Sequence, residues 1–226
     1  MGSTQDVAAA AFDHTGRPTL VVADRQTAGR GRSGRPWWQA DRALYSSLAF
    51  APHWSQERLG VLSLVTAVVL HDAIASRFGT ETACKWPNDL LTESGKVSGI
   101  LVEAAQGRVV IGCGVNLWWV DPPDGAAGVS GTDPGEGAVV ELARAWADGV
   151  LDASAAGPDA WPVARYRALN STIGATVTWA DGSGTAIGIA DDGGLEVATG
   201  SGIAVLHSAD VHFGPGSLPP ATTEHS

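Results

Sequence analysis

Apolar and polar positions follow two different periods along the chain, and each period predicts one class of element. Apolar residues recur at helical spacing from 56 to 78, which predicts a helix with one buried face. An alanine-rich helix is predicted over 1–12, where Ser3 or Thr4 can cap the first turn through a side-chain oxygen. The same spacing predicts two later helices at 139–154 and 160–169.

Short β-branched and apolar runs predict strands between these helices. The predicted strands are 19–23, 43–50, 83–86, 90–91, 97–103 and 109–115. Tight turns are expected at Pro87-Asn88 and at Ser94-Gly95, because proline, asparagine and glycine favour turn conformations. The segments 25–40 and 118–137 show neither period and are predicted to be loops.

The pattern changes near Asn170, where we place a domain boundary. Short β-rich pieces broken by Asp-Gly and Gly-Gly pairs predict a small all-β barrel or meander over 171–213. The first domain is therefore predicted over 1–170. The polar, proline-containing tail 214–226 is predicted to be disordered.

Composition narrows the classes of function. The chain has 226 residues, 44% hydrophobic and 17% charged, which is typical of a globular protein. A formal net charge of −10 disfavours sequence-independent nucleic-acid binding. Cys84 and Cys113 form no CxxC pair, so neither a zinc site nor a disulfide framework is predicted. The apolar run 61–74 looks too short for a membrane span, and no signal peptide is visible, so a cytoplasmic protein is expected.

Positive charge is concentrated in one glycine-rich loop. Arg25, Arg30, Arg32 and Arg35 are four of the chain's 14 basic residues. Guanidinium groups bind carboxylate and phosphate oxygens with forked donors, and the glycines between them permit close backbone approach. The loop contains neither a P-loop nor a dinucleotide fingerprint. Taken alone, the segment fits a solvated basic loop or an RNA-binding segment as well as it fits a loop that binds the anionic group of a ligand.

The only two lysines, Lys85 and Lys96, lie within one predicted β region. We expect their segments to pair as a hairpin, so that both ammonium groups serve one anionic site. Asp89 has the hard oxygen donors that a Mg²⁺–phosphate group accepts. Asn116, at the end of a glycine-containing strand, has the donor and acceptor needed to contact a purine edge. Each of these residues considered singly is equally compatible with a turn or surface position.

Five segments, taken in order, resemble the catalytic domain of biotin–protein ligases. They are Gly2-Ser3-Thr4, 26–34 (QTAGRGRSG), 85–89 (KWPND), 96–101 (KVSGIL) and 112–116 (GCGVN). The segment 188–195 (GIADDGGL) is similar to the small SH3-like domain of that family. The chain here begins directly at the Gly-Ser-Thr segment, whereas the family usually has a short strand before it.

The resemblance implies an α/β (α+β) fold. It implies that 1–170 is the catalytic domain, with a seven-stranded mixed sheet that binds its ligands on one face, and that 171–213 is a C-terminal SH3-like barrel. The implied catalytic residues are the cations Lys96, Arg32 and Arg30. The residues implied to bind biotin are Ser3, Thr4, Gln26, Gly29, Arg30, Lys96, Gly99, Leu101, Gly112 and Gly114. The residues implied to bind the nucleotide are Arg32, Trp37, Lys85, Asn88, Asp89 and Asn116, with Trp37 closing over the bound intermediate. Mg²⁺ is expected to arrive with the ATP phosphates rather than on dedicated protein ligands.

The activity implied is formation of biotinyl-5′-AMP from biotin and MgATP, followed by transfer of biotin to a lysine of a biotin carboxyl carrier protein or domain. The cations would offset the repulsion between the attacking carboxylate and the triphosphate. The form implied is monofunctional, a monomer or homodimer without DNA or membrane binding. A catalytically weak biotin-binding module, a lipoate-type acyl ligase and an RNA-binding protein remain as alternatives.

Overall fold

The computed structural model describes residues 1–34, 37–207 and 211–213 and contains four α-helices and two antiparallel sheets within them. Arg35 and the predicted disordered tail lie outside the described residues. The helices are α1 (Thr4–Thr15), α2 (Val61–Phe78), α3 (Gly135–Ala156) and α4 (Val163–Leu169). The strands are β1 (Thr19–Ala23), β2 (Arg42–Phe50), β3 (Ala83–Lys85), β4 (Asp89–Thr92), β5 (Gly95–Ala105), β6 (Arg108–Trp118), β7 (Thr176–Trp179), β8 (Gly182–Ile189), β9 (Leu195–Thr199), β10 (Gly202–Leu206) and β11 (His212–Phe213).

The first sheet has the strand order β1-β2-β6-β5-β4-β3, and every neighbouring pair is antiparallel. The seven-stranded mixed sheet that the resemblance implied is therefore wrong for the described residues. Turns of only a few residues join β3, β4, β5 and β6 in succession, and such short turns connect only antiparallel strands. Among the residues that the structure describes, parallel pairing is limited to the isolated bridges Cys84–Asn170 and Lys96–Ala126.

The two faces of this sheet have different coverings. Side chains such as Leu48, Ile111 and Cys113 point to one face and form the main core with α2 and α3. Ala49 and Val110 point to the other face, where they pack against Ala8 of α1. Ser3 caps α1 by accepting a hydrogen bond from the backbone N–H of Gln5, as the sequence predicted. The covering on this second face is partial, which leaves room beside α1 for a cavity.

The predicted helix at 56–78 begins later than expected. Residues Gln56–Arg58 form a 3₁₀ turn, and the α-helix starts at Val61 after i→i+3 hydrogen bonds that continue to Ser63. Its 18 residues are long and apolar enough to cross a membrane, so the argument from the length of 61–74 does not hold. The position of α2 explains its composition instead, because more than half of it is buried inside the protein.

The second sheet has the order β10-β9-β8-β7-β11, with every pair antiparallel. Within the described part of the chain, β10 and β11 are its two edges and do not pair, so these residues form the meander, one of the two forms predicted, and no closed barrel is seen among them. Val177, Ile189 and Val197 belong to the same core cluster as α2 and the first sheet. Apolar packing is therefore continuous across the predicted boundary at Asn170.

Candidate active site

A cavity of about 500 Å³ opens on the α1 face of the first sheet. The start of α1 and the arginine–glycine loop form one wall, and the β3–β4 hairpin and the start of β5 form the opposite wall. Sixteen residues were implied as site residues, and the cavity lining includes all of them except Gly29 and Lys85. The tertiary structure thus brings implied site residues that are far apart in sequence, from Ser3 to Asn116, to one place.

Glycines form the floor of the cavity. Gly99 of β5 pairs with Gly114 of β6, and the Trp37 ring lies directly on both. A Cβ at Gly99 would be 2.6 Å from Trp37 Cζ3, and one at Gly114 would be 2.9 Å from Trp37 Cε2. A flat group can therefore contact the backbone of these two strands, and no larger residue than glycine leaves that space.

Neutral polar groups gather where α1 meets β2. The backbone N–H of Thr4 donates to Gln26 Oε1 at 2.8 Å, and the Thr4 hydroxyl lies 2.8 Å from Ser47 Oγ. The Thr4 hydroxyl also donates to Gln26 Oε1 at 3.1 Å. These contacts occupy the Gln26 oxygen, so its amide nitrogen is the group that it can offer to a ligand.

Gln5 belongs to this polar end, and the sequence analysis missed it. Its Nε2 donates to Glu103 Oε2 at 3.1 Å and to the Val110 carbonyl at 3.5 Å. Its Oε1 is buried without a hydrogen-bond partner among the described residues and lies 2.9 Å from the position of a Cβ on Gly112. Because the amide nitrogen is committed, the oxygen is left as an acceptor on the cavity wall. The only indication in the sequence was the position of Gln5 directly after Ser3 and Thr4.

Cationic groups gather at the hairpin wall. Lys96 Nζ lies 2.7 Å from Asp89 Oδ1, and it is also 5.3 Å from the centre of the Trp37 ring. Arg32 Nη1 donates to Asn88 Oδ1 at 3.4 Å. Asn88 is itself held in place, because its Nδ2 donates to the Ile100 carbonyl at 2.9 Å. Two cations and their neutral or acidic partners therefore face the same space.

Asn116 lies beside this cationic group at the end of β6. Its Nδ2 donates to the Lys96 carbonyl at 3.4 Å, and its buried Oδ1 has no partner within the described parts of the chain. Trp119 also lines the cavity here, although the sequence did not distinguish its role. An unpaired buried oxygen costs free energy unless a ligand donates to it, which makes Asn116 suited to contact an amino group.

Arg30 has partners that the sequence did not indicate. Its Nη2 lies 2.8 Å from Asp6 Oδ1 and 3.5 Å from Glu103 Oε2. The hydrogen bond from Arg30 lowers the pKa of the Asp6 carboxyl below its ordinary value. Glu103 in turn accepts from Gln5, so the Glu103 carboxylate connects Arg30 to the polar end. Its positive charge is balanced within the protein.

Lys85 does not share the site of Lys96. Its Nζ lies 4.8 Å from the centre of the Phe213 ring, and Lys85 is not part of the cavity lining. The expectation that the two lysine segments pair as a hairpin was wrong, because β3 pairs with β4 and β4 pairs with β5. Lys85 is opposite Asp89, and Lys96 is opposite Leu91, with β4 between the two lysines.

The chain is similar in sequence and in fold to proteins of one known family. The family model of the biotin/lipoate A/B protein ligases matches residues 2–116. A biotin–acetyl-CoA-carboxylase ligase of Paracoccus denitrificans is 35% identical over 218 residues, covering 86% of this chain and 90% of the relative. The corresponding ligase of Mycobacterium tuberculosis is 34% identical over 209 residues, covering 85% and 77%. The biotin protein ligase of Aquifex aeolicus, solved with biotin and ATP, superposes with a TM-score of 0.77 at 25% identity and covers 94% of each chain. The chain belongs to the biotin/lipoate A/B protein ligase family.

Proposed function

We propose that this protein is a biotin–protein ligase, which activates biotin with MgATP and transfers it to a lysine of a carrier protein. One observation carries the proposal: a neutral polar end and a cationic end share one cavity over a glycine floor. Biotin has the same division, with an uncharged ureido ring at one end and a carboxylate at the other. Two relatives that each cover more than four fifths of the chain are named biotin–acetyl-CoA-carboxylase ligases.

The polar end favours biotin over lipoate within this family. A ureido group has two N–H donors and one carbonyl acceptor, and Gln5 Oε1 and the Gln26 amide nitrogen offer the complementary groups. The dithiolane ring of lipoate has no N–H to donate, so the buried Gln5 oxygen would stay unpaired on binding it. We therefore assign recognition of the ureido ring to Ser3, Thr4 and Gln5. The residues assigned to the floor of the cavity beneath biotin are Gly99, Leu101, Gly112 and Gly114.

The cationic end suits the activation step. A biotin carboxylate oxygen forms a bond to the α-phosphorus of ATP, the bond from that phosphorus to the bridging oxygen breaks, and pyrophosphate leaves. Arg32 and Lys96 reduce the repulsion between carboxylate and triphosphate and stabilise the charge that develops on the phosphoryl oxygens. Asn88, Asp89 and Asn116 are assigned to the nucleotide side. Arg30 already pairs with Asp6 and Glu103, so we assign it a structural role in the cavity wall and not a contact with the phosphates.

The second step uses a lysine from another protein. Its neutral amine attacks the acyl carbon of biotinyl-5′-AMP, loses a proton, and releases AMP. We propose that the acceptor is the biotin carboxyl carrier part of a carboxylase, since the relatives are named for acetyl-CoA carboxylase. We also propose that the second sheet corresponds to the family's SH3-like domain. The absence of DNA binding and the oligomeric state stay predictions.

One incubation tests the proposal against its alternatives. The protein is mixed with MgATP, a carrier domain and either labelled biotin or labelled lipoate, and label on the carrier is measured with the release of pyrophosphate. Transfer of biotin in preference to lipoate is expected. Preferential transfer of lipoate would make the protein a lipoate-type ligase, and biotin binding without pyrophosphate release would make it a non-catalytic module.

A further inference from the structure

The turn between β8 and β9, residues 190–194, extends from the second sheet to the first. It is a tight loop, because the backbone N–H of Ala190 donates to the Gly194 carbonyl at 2.8 Å and that of Gly193 donates to the Ala190 carbonyl at 2.9 Å. Asp192 closes it by accepting from the backbone N–H of Gly194 at 3.0 Å. Gly193 has φ +88, and a Cβ there would be 2.8 Å from Leu64 Cδ1 of α2. This turn is therefore shaped to fit closely against α2.

Three side chains from before the predicted boundary hold this turn. Trp86 Nε1 donates to the Gly193 carbonyl at 3.0 Å, and Trp161 Nε1 donates to the Asp191 carbonyl at 2.8 Å. Arg167 Nε donates to the Ile189 carbonyl at 2.8 Å. Two indole N–H groups thus donate to two carbonyls of the same turn. The two tryptophans can therefore be compared by the same substitution.

Of these three residues, Trp86 alone belongs to the β3–β4 hairpin that forms the cationic wall. Its side chain is only 1% exposed, so the hydrogen bond to Gly193 is protected from water. Its backbone N–H also donates to the Thr172 hydroxyl at 2.9 Å, a second contact with the residues after Asn170. The residue after Trp86, Pro87, accepts at its carbonyl from Ser63 Oγ of α2 at 2.8 Å. Trp86 and Pro87 are therefore held by hydrogen bonds on the side of the hairpin that does not line the cavity.

The cavity side of the same hairpin contacts both cations. Asn88, two residues after Trp86, accepts from Arg32, and Asp89 pairs with Lys96. A short segment therefore connects the 190–194 turn to the groups assigned to the phosphates. A displacement of Trp86 would move Asn88 and Asp89, whereas Trp161 is outside the hairpin and has no such connection.

We propose that the 190–194 turn positions the nucleotide-binding wall of the active site through Trp86. The turn and Trp86 do not line the cavity, so they are positioning groups and not catalytic ones. The inference rests on the proposed function only for the identity of the ligand, MgATP. It predicts that loosening the turn weakens nucleotide binding while the neutral polar end, built on α1 and β2, keeps its affinity for biotin.

The test compares Trp86→Phe with Trp161→Phe, each of which keeps an aromatic ring and removes one indole N–H. Titration calorimetry measures the Kd for MgATP and for biotin separately, and thermal unfolding is followed alongside. Trp86→Phe is expected to raise the Kd for MgATP roughly three- to tenfold, the range that loss of one hydrogen bond gives, with the Kd for biotin unchanged. Trp161→Phe is expected to raise the Kd for MgATP less than Trp86→Phe does, because Trp161 holds the turn but does not belong to the hairpin. Equal shifts in both variants, no shift in Trp86→Phe, or an equal shift for both ligands would overturn the proposal.

A second variant keeps the test valid if Trp86→Phe fails to fold. Asp192→Ala removes the bond that closes the turn, at a side chain exposed to solvent, and Asp181→Ala in the exposed β7–β8 turn is its control. Asp192→Ala is expected to raise the Kd for MgATP in the same direction, and an unchanged Kd would contradict the inference. The measured quantity is the Kd for MgATP, which does not depend on turnover. A wild-type protein that binds MgATP without releasing pyrophosphate would disprove the proposed function. The comparison of Kd values between the variants would still test this inference.

Discussion

Lys96 Nζ lies 2.7 Å from Asp89 Oδ1, and the two residues belong to neighbouring strands, β5 and β4. The Asp89 side chain is only 17% exposed, so the pair is partly shielded from water. The carboxylate holds the ammonium group over the cavity before any substrate is present. In the proposed reaction, this ammonium group would already be in place when the biotin carboxylate and the triphosphate bind, so little reorganisation would be needed.

Lys96→Ala is expected to reduce pyrophosphate release at least about 100-fold, the usual effect of removing one preorganised charged donor from a transition state. The control is Lys85→Met, since Lys85 is the only other lysine and lies against Phe213 outside the cavity lining. It should keep most of the activity. Biotin-dependent pyrophosphate release measures both, with thermal unfolding to verify the fold. A nearly normal Lys96→Ala rate would exclude Lys96 from the mechanism, and an inactive Lys85→Met would restore Lys85 to the nucleotide site.

Gln5→Met keeps the length of the side chain and removes its whole amide, that is, the free acceptor and the donor to Glu103 and the Val110 carbonyl. Biotin should bind about 10-fold more weakly, as expected for one lost buried hydrogen bond. The Kd for MgATP should stay unchanged, because Gln5 lies at the other end of the cavity. Titration calorimetry with each ligand measures both constants. Gln56→Met, in the 3₁₀ turn, is the matched control. Unaltered biotin affinity in Gln5→Met would remove Gln5 from ureido recognition.

Gly99→Ala is expected to raise the KM for biotin at least about 10-fold, because the added methyl would be 2.6 Å from the Trp37 ring and 3.4 Å from Lys96 Nζ. Gly60→Ala is a matched control: no atom lies within 4 Å of the added Cβ, and Gly60 has the helical φ of −59. It should leave the kinetics unchanged. Steady-state kinetics with varied biotin compare the two variants, and equal effects would show that the floor is not in contact with the ligand.

Both cysteines are expected to resist alkylation at pH 8 in the folded protein and to react once it is unfolded. Burial raises the pKa of the Cys84 thiol and of the Cys113 thiol to about 12 each. The folded state therefore favours the neutral thiols, and their contribution to stability is present below pH 9 and is lost as the pH rises from 9 toward 12. Mass spectrometry after iodoacetamide treatment checks the first statement. Rapid labelling of either thiol in the native protein would contradict the assigned burial.

Much of the local structure could be predicted from the sequence because its causes are local. The hydroxyl of Ser3 caps α1 as predicted, and the turn before Gly95 joins two strands as predicted. Gln56–Arg58 was assigned to α2 wrongly, since Leu59 fits the apolar spacing of a helix whether or not the hydrogen bonds there are α-helical. The period of apolar residues reports burial, and it does not distinguish a 3₁₀ turn from the first turn of a helix.

The sequence by itself determined most of the helices and strands, the unusual concentration of arginine and glycine, and the five ordered segments that resemble a biotin–protein ligase. Only the tertiary structure decided that Lys96 lines the cavity while Lys85 lies on Phe213, and that Asp6 and Glu103 balance the charge of Arg30. It also decided that the Gln5 oxygen is buried without a partner among the described residues. The physical reason is strand register. Side chains alternate between the two faces of a strand. Which side chains meet on one face depends on how the strands pair, as Gly99 pairs with Gly114.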